Sequence, residues 1–171
     1  MPKNVYFNVE DQRILDNSRV VEDVTSFTPP DVEHPTTEFD VAGMAGTLNF
    51  PNQTKVNAME LTIAHNNGNN CDRLIDLGKH VFEMRLARQR YDTAKADVGH
   101  SGVKYRFTAQ HVRTEDGTVE RGNPLGSTEH YSVQRYEKIV NGKTVLLIDI
   151  TANKITVNGK SPTDEVENLL K

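Results

Sequence analysis

The most regular feature of the chain is alternation. Met59, Leu61 and Ile63 take every second position, with Glu60 and Thr62 between them. Phe82, Met84 and Leu86 alternate with Glu83 and Arg85, and Val103, Tyr105 and Phe107 alternate with Lys104 and Arg106. Successive side chains of an extended chain point to opposite faces, so a period of two predicts strands buried on one side. Read this way, strands are expected at 20–28, 37–42, 58–65, 80–91, 103–113, 130–140, 144–150 and 155–157. Residues 5–9 carry a weaker version of the pattern.

The stretch YEKIVNGKTVLLIDI, residues 136–150, reads as a hairpin. Asn141-Gly142 supplies the two positive-φ positions of a type I′ turn. Its second arm carries Val145, Leu146, Leu147 and Ile148 without a polar break. Apolar groups on both faces of one strand require two covers. The second is expected to be a short helix at 72–77, the C-terminal helix or a neighbouring subunit.

Two short helices interrupt the strands. NNGNNCDRLIDLGKH places Asn70 as N-cap, Asp72 in the first turn and Gly78 as the stop, with Leu74, Ile75 and Leu77 as an apolar face. SPTDEVENLLK begins with Ser161 as N-cap, Pro162 at the first helical position and Asp164 at the capping-box position. Val166, Leu169 and Leu170 are expected to anchor it on the sheet. Three connections, 43–55, 92–102 and 114–127, are long for a small domain, and long loops usually carry function. The first contains Met44, Leu48 and Phe50, apolar side chains that pattern alone leaves to one of two fates: docking on another surface or folding back on their own sheet.

The chain has 171 residues, enough for one domain, 1–171, with a two-layer core. No apolar run approaches the length of a membrane span, and the N-terminus lacks the basic-then-apolar order of a signal peptide. One cysteine, Cys71, leaves no intrachain disulfide and agrees with a reducing compartment. The six histidines show no HxH or HExxH pair. Cys71 reads as a packed thiol, GHSG at 99–102 is not a nucleophile elbow, and phosphate-loop and dinucleotide fingerprints are absent. No catalytic residue, metal site or cofactor is expected, and the chain does not read as an enzyme.

Charge is the more informative property. Between 20 and 54 lie six acids, Glu22, Asp23, Asp31, Glu33, Glu38 and Asp40, and no Lys or Arg. Between 79 and 113 lie eight bases against three acids. A protomer with charge segregated by strand suits ordered assembly.

The order of these features resembles the major tail tube protein of contractile-tailed bacteriophages and R-type tail-like bacteriocins. An acidic hairpin leads into DVAGMAGTLNFPN, then AMELTIAH, then the short helix CDRLIDLGK. The C-terminal part is the most specific: Tyr136, the Asn141-Gly142 turn, Ile148-Asp149, the Asn158-Gly159 turn and a helix containing Leu169. Residues 92–102 and 114–127 depart from the pattern.

The resemblance implies a mainly β subunit: a β-sandwich or partly open barrel of antiparallel strands, with one short flanking helix and a short C-terminal helix. It implies hexameric rings stacked into the inner tube of a contractile tail, a conduit for DNA in the virion, made in the host cytoplasm. Its partners would be further copies of itself, a sheath protein, and baseplate and tape-measure proteins. Closing a ring also pairs strand edges that a monomer leaves open. Within this frame Met44, Leu48 and Phe50 are expected at a subunit interface. Glu22, Glu38, Asp40 and Glu60 are expected to face the lumen. The same architecture serves type VI secretion tubes and other contractile injection devices. A monomeric β-sandwich binding module is the remaining alternative, disfavoured by the absence of tryptophan.

Overall fold

The computed structural model describes residues 3–171. Strands β1 (Asn4–Asp16), β2 (Arg19–Val20), β3 (Val24–Thr28), β6 (Met59–His65), β7 (Lys79–Asp92), β8 (Asp97–Asp116), β9 (Ser127–Val140), β10 (Lys143–Asp149) and β11 (Lys154–Val157) form one sheet. Strands β4 (Thr36–Phe39) and β5 (Leu48–Pro51) form a separate two-stranded hairpin. A 3₁₀ helix spans Cys71–Ile75, and α1 spans Pro162–Leu169.

All pairings are antiparallel, and β9 is the pivot of the sheet. One edge of β9 pairs with β8; the other pairs first with β6 and then with β10. A strand with two successive partners on one edge bends the sheet, and bulges at Gln134 of β9, opposite Thr108/Ala109, and at Val112 of β8 add to the bend. The sheet therefore curls on itself. Phe27 of β3 meets Phe107 of β8 with ring centroids 5.6 Å apart, although the two strands are not paired. Met59, Leu61, Ile63, Phe82, Phe107, Tyr131, Tyr136 and Ile148 fill the enclosed core together with Leu74 from the 3₁₀ helix. Of these, Met59, Leu61, Ile63, Phe82 and Phe107 are the residues that the period-two pattern assigns inward.

Several expectations change. The segment 20–28 is two strands, because Asp23 takes a left-handed φ of 56° and switches the chain from β1 to β6. The 92–102 connection is not a loop: β7 and β8 pair throughout to Asp92↔Asp97. The 43–55 connection contains β5, and the 114–127 connection shrinks because β8 runs to Asp116. The first helix is a 3₁₀ turn. Asn70 lies in the left-handed region at φ 66° and makes no side-chain cap. Ser161 does cap α1, accepting from the Asp164 N–H. Val166, Leu169 and Leu170 do not anchor that helix: its one buried residue is Thr163, whose hydroxyl accepts from the Ile155 N–H at 3.1 Å.

The 136–150 hairpin turns at Asn141 (φ 49°) and Gly142 (φ 78°). Its apolar run has a local cause. The register slips between Thr144 and Leu146, so Val145 is the extra residue of a bulge. Ile148 is in the core and Leu146 packs against it, while Leu147 sits opposite Glu137 and Thr156, half-buried. The run thus needs far less outer cover than strict alternation implies.

Candidate assembly surfaces

The β4–β5 hairpin is built to project. Its base is held where Asn52 N–H donates to the Pro35 carbonyl at 2.8 Å and Asn57 N–H donates to that of Glu33 at 2.8 Å. His34 Nδ1 lies 2.7 Å from the Lys55 carbonyl oxygen. Val32 and Val56 tuck the two stems against the core. Beyond them, among the described residues, the two strands pair only with each other. The register Thr37↔Phe50 and Phe39↔Leu48 gathers Phe39, Leu48 and Phe50 on one face, with Glu38 on the other. The Phe39 and Phe50 rings meet edge-on, 6.2 Å apart. Met44, Leu48 and Phe50 are 41%, 44% and 55% exposed, and Phe39 and Val41 stand beside them equally open. A group of this kind is unusual on a soluble surface.

The four sequence-singled acids do not share one element. Glu38 and Asp40 lie at the hairpin, both exposed, and neither makes an ion pair among the described residues. Glu60 lies on the outer face of β6, where His130 Nδ1 meets its carboxylate at 2.7 Å. His130 also lies 3.5 Å from Glu115, which pairs with Arg113 at 2.9 Å. Glu22 lies at the mouth of an open cleft of ≈ 1020 Å³ that Cys71, His65, Asp116 and Glu129 also line.

That cleft was not legible in the sequence, and its floor is a closed polar network. Glu129 is buried and accepts from His65 at 3.3 Å, His111 at 2.8 Å and the Thr114 hydroxyl at 2.5 Å. Both oxygens of the carboxyl group face a donor, so this buried polar group is not left unsatisfied. The Cys71 thiol donates to the Glu22 carbonyl at 3.1 Å, and burial pushes its pKa up, so it is a packed thiol and not an activated one. Among the described residues no group of three His, Cys, Asp or Glu side chains is placed to hold a metal ion.

The basic strands behave differently along their length. On the outer face, Glu83 gathers Arg85 at 2.5 Å, Arg106 at 3.1 Å and Lys104 at 3.6 Å. Burial alone would raise its pKa; these three cations outweigh that and hold it below the ordinary carboxylate value. Further along, β1, β7 and β8 continue past the core as a three-stranded arm. β1 pairs with β7 on one side; its other edge before Leu15 has no partner strand among the described residues, since β2 covers only Leu15 and Asp16. Val5, Tyr6, Phe7 and Val9 are exposed on it. The faint alternation at 5–9 was the sequence signal of the arm's β1 strand, and the strand expected at 80–91 reached its β7 strand.

Residues 12–170 match the family of phage tail tube protein FII. The chain belongs to that family. Its role is that of a structural tail tube subunit. The fold agrees. The chain resembles the sheath-tube complex of an extracellular contractile injection system, PVC, in its extended state. That match has a TM-score of 0.56 and 10% identity, covering 78% of this chain and 90% of that one. The sheath/tube terminator of the same system aligns with TM-score 0.55 and 10% identity over 77% of this chain and 95% of its own. The tube-terminating cap of the anti-feeding prophage aligns with TM-score 0.55 and 15% identity over 80% and 93%. No curated protein sequence matches the chain. The family range begins at Gln12, so Asn4–Asp11, the arm half of β1, precedes it.

Proposed function

We propose that this subunit closes into hexameric rings that stack as the inner tube of a contractile tail, with the bore serving as a DNA conduit. The tube would be wrapped by a sheath, nucleated by a baseplate and occupied during assembly by a tape-measure protein. Membership of the tail tube family supports self-assembly. The PVC sheath-tube complex, which has the same fold, supports a sheath partner. The observation that carries the reading is the projecting β4–β5 hairpin, which holds Met44, Leu48 and Phe50 away from its own core. In this reading the hairpin docks on the adjacent subunit. Burial there is worth about 1.5–3 kcal/mol per side chain. Glu22, Glu38, Asp40 and Glu60 face the bore.

The test replaces Met44, Leu48 and Phe50 with Ser together. The expected product is a folded monomer, by circular dichroism and sedimentation, that forms no tubes under electron microscopy. Unfolding of the monomer would place these side chains in the intramolecular core, and tubes of normal length would remove the hairpin from the interface.

A further inference from the structure

Two surfaces of this chain stand without a partner, and they complement each other. The first is the core-side face of the arm. The register sets Val9 opposite Arg88 and Tyr6 opposite Arg90. Arg88 lies over the Tyr6 ring, 4.4 Å from its centroid. The Nε atoms of Arg88 and Arg90 are shielded from solvent and have no acceptor. Unlike Arg85, which reaches Glu83, neither guanidinium makes an ion pair among the described residues. A guanidinium that loses water without gaining a carboxylate is held at a cost. The face is therefore apolar, cationic and open.

The second surface is α1. A helix normally turns its apolar residues to the sheet that supports it. Here Leu169 and Leu170 are 86% and 82% exposed, and Val166 is exposed with them. Glu165 stands among them with no ion-pair partner among the described residues, and Glu167 reaches only Lys171. The surface is apolar, acidic and open. In the sheet order β11, which α1 follows, lies at the opposite end from β1 and β2, and both surfaces remain exposed in the single chain. Complementary patches at two ends of one protomer make a heterologous contact, the kind that propagates from copy to copy.

We propose that the arm of one copy receives the C-terminal helix of the next, with Leu169 and Leu170 against Tyr6 and Val9, and Glu165 and Glu167 against Arg88 and Arg90. The proposal rests on the tube reading and names one of its contacts, separate from the β4–β5 hairpin.

A mixture of full-length Tyr6→Cys and Leu170→Cys chains, concentrated and examined for tubes, is treated with a short bismaleimide. Cys71 is buried, and its background is measured on the parent chain. The expected result is a covalent dimer that needs both variants. It falls at least tenfold when the Tyr6→Cys chain also carries Arg88→Glu and Arg90→Glu. It returns when the Leu170→Cys chain then carries Glu165→Arg and Glu167→Arg. Tubes without the dimer, or a dimer indifferent to the charge reversals, overturn the arm–helix contact and leave the tube reading standing. Cysteine chains that form neither tubes nor dimer, where the parent chain forms no tubes either, overturn both.

Discussion

His80 illustrates how a single side chain is committed by its surroundings. Nδ1 lies 3.1 Å from an Asp16 carboxylate oxygen, and Nε2 lies 2.7 Å from the Asp76 carbonyl oxygen. Both nitrogens face acceptors, so both must donate, which is the imidazolium form. Burial alone would lower its pKa, but the bonds to Asp16 and Asp76 outweigh burial and raise it. A raised pKa gives stability that is fully present below the unfolded value, about 6.5, and lost as pH rises through the folded value. Thermal unfolding of the parent and of His80→Gln should therefore differ most on the acid side, with the gap narrowing as pH rises above neutrality. A gap independent of pH would contradict the imidazolium. His80→Leu leaves Asp16 buried and uncompensated, and should cost about 3–5 kcal/mol in denaturant unfolding.

Asp149 does similar work at a turn. Its carboxylate accepts from the Thr151 hydroxyl at 2.7 Å and the Ala152 N–H at 3.0 Å, with Arg135 at 3.6 Å. Burial opposes ionisation here too, yet these donors hold its pKa below the ordinary value. The side chain thus closes the β10–β11 turn as an Asx motif. Asp149→Asn keeps one acceptor and should be milder than Asp149→Ala, which should lose about 1–2 kcal/mol in chemical denaturation. Equal loss in the two variants would show that the charge on Arg135, not the turn, is what matters.

At the scale of elements, the legible strands were those with one wet and one dry face. β6 and the inner halves of β7 and β8 announced themselves because burial imposes a period of two. The β7–β8 end of the arm stayed hidden for the converse reason. In YDTAKADVGHSG most side chains are exposed and the one that is buried, Ser101, is polar, so pairing from Asp92↔Asp97 onward is carried by backbone hydrogen bonds that leave no trace in hydropathy. The second strand of the projecting hairpin was missed likewise, since LNFP is too short to show a period. The apolar run at 145–148 misled in the opposite direction: a bulge shifts the phase by one residue and imitates a doubly buried strand. Capping chemistry was readable at Ser161, whereas the exposure of Leu169 and Leu170 was not. An amphipathic pattern states that a face will be covered and leaves open by which molecule. The β4–β5 apolar group had the same ambiguity, and only the geometry of its stems separates it from the core.

At the scale of the molecule, the proposed bore makes a demand on charge. A strand of DNA must pass many rings without adhering to any. Each Lys or Arg that contacts a phosphate releases counterions and adds about 0.9 to the salt slope of binding. Repeated around each ring and along the tube, even one such contact per subunit would hold the strand. Carboxylates repel phosphate instead, and salt confines that repulsion to about 8 Å under physiological conditions, so the wall repels while the centre stays passable. The four acids should not contribute equally. Glu60 is paired with His130 and shares its neighbourhood with Arg113, which offsets its charge. Glu38 and Asp40 are exposed and make no ion pair among the described residues, so their fields are the least compensated. Changing both to Lys should therefore leave the fold and tube assembly intact while slowing DNA release, and the Glu60→Lys variant should slow it less. Because the new contacts are with phosphate, raising the salt concentration should restore the release rate of the double variant toward that of the parent. Parent-like ejection by the double variant, or slowing that salt does not relieve, would remove these side chains from the wall of the bore.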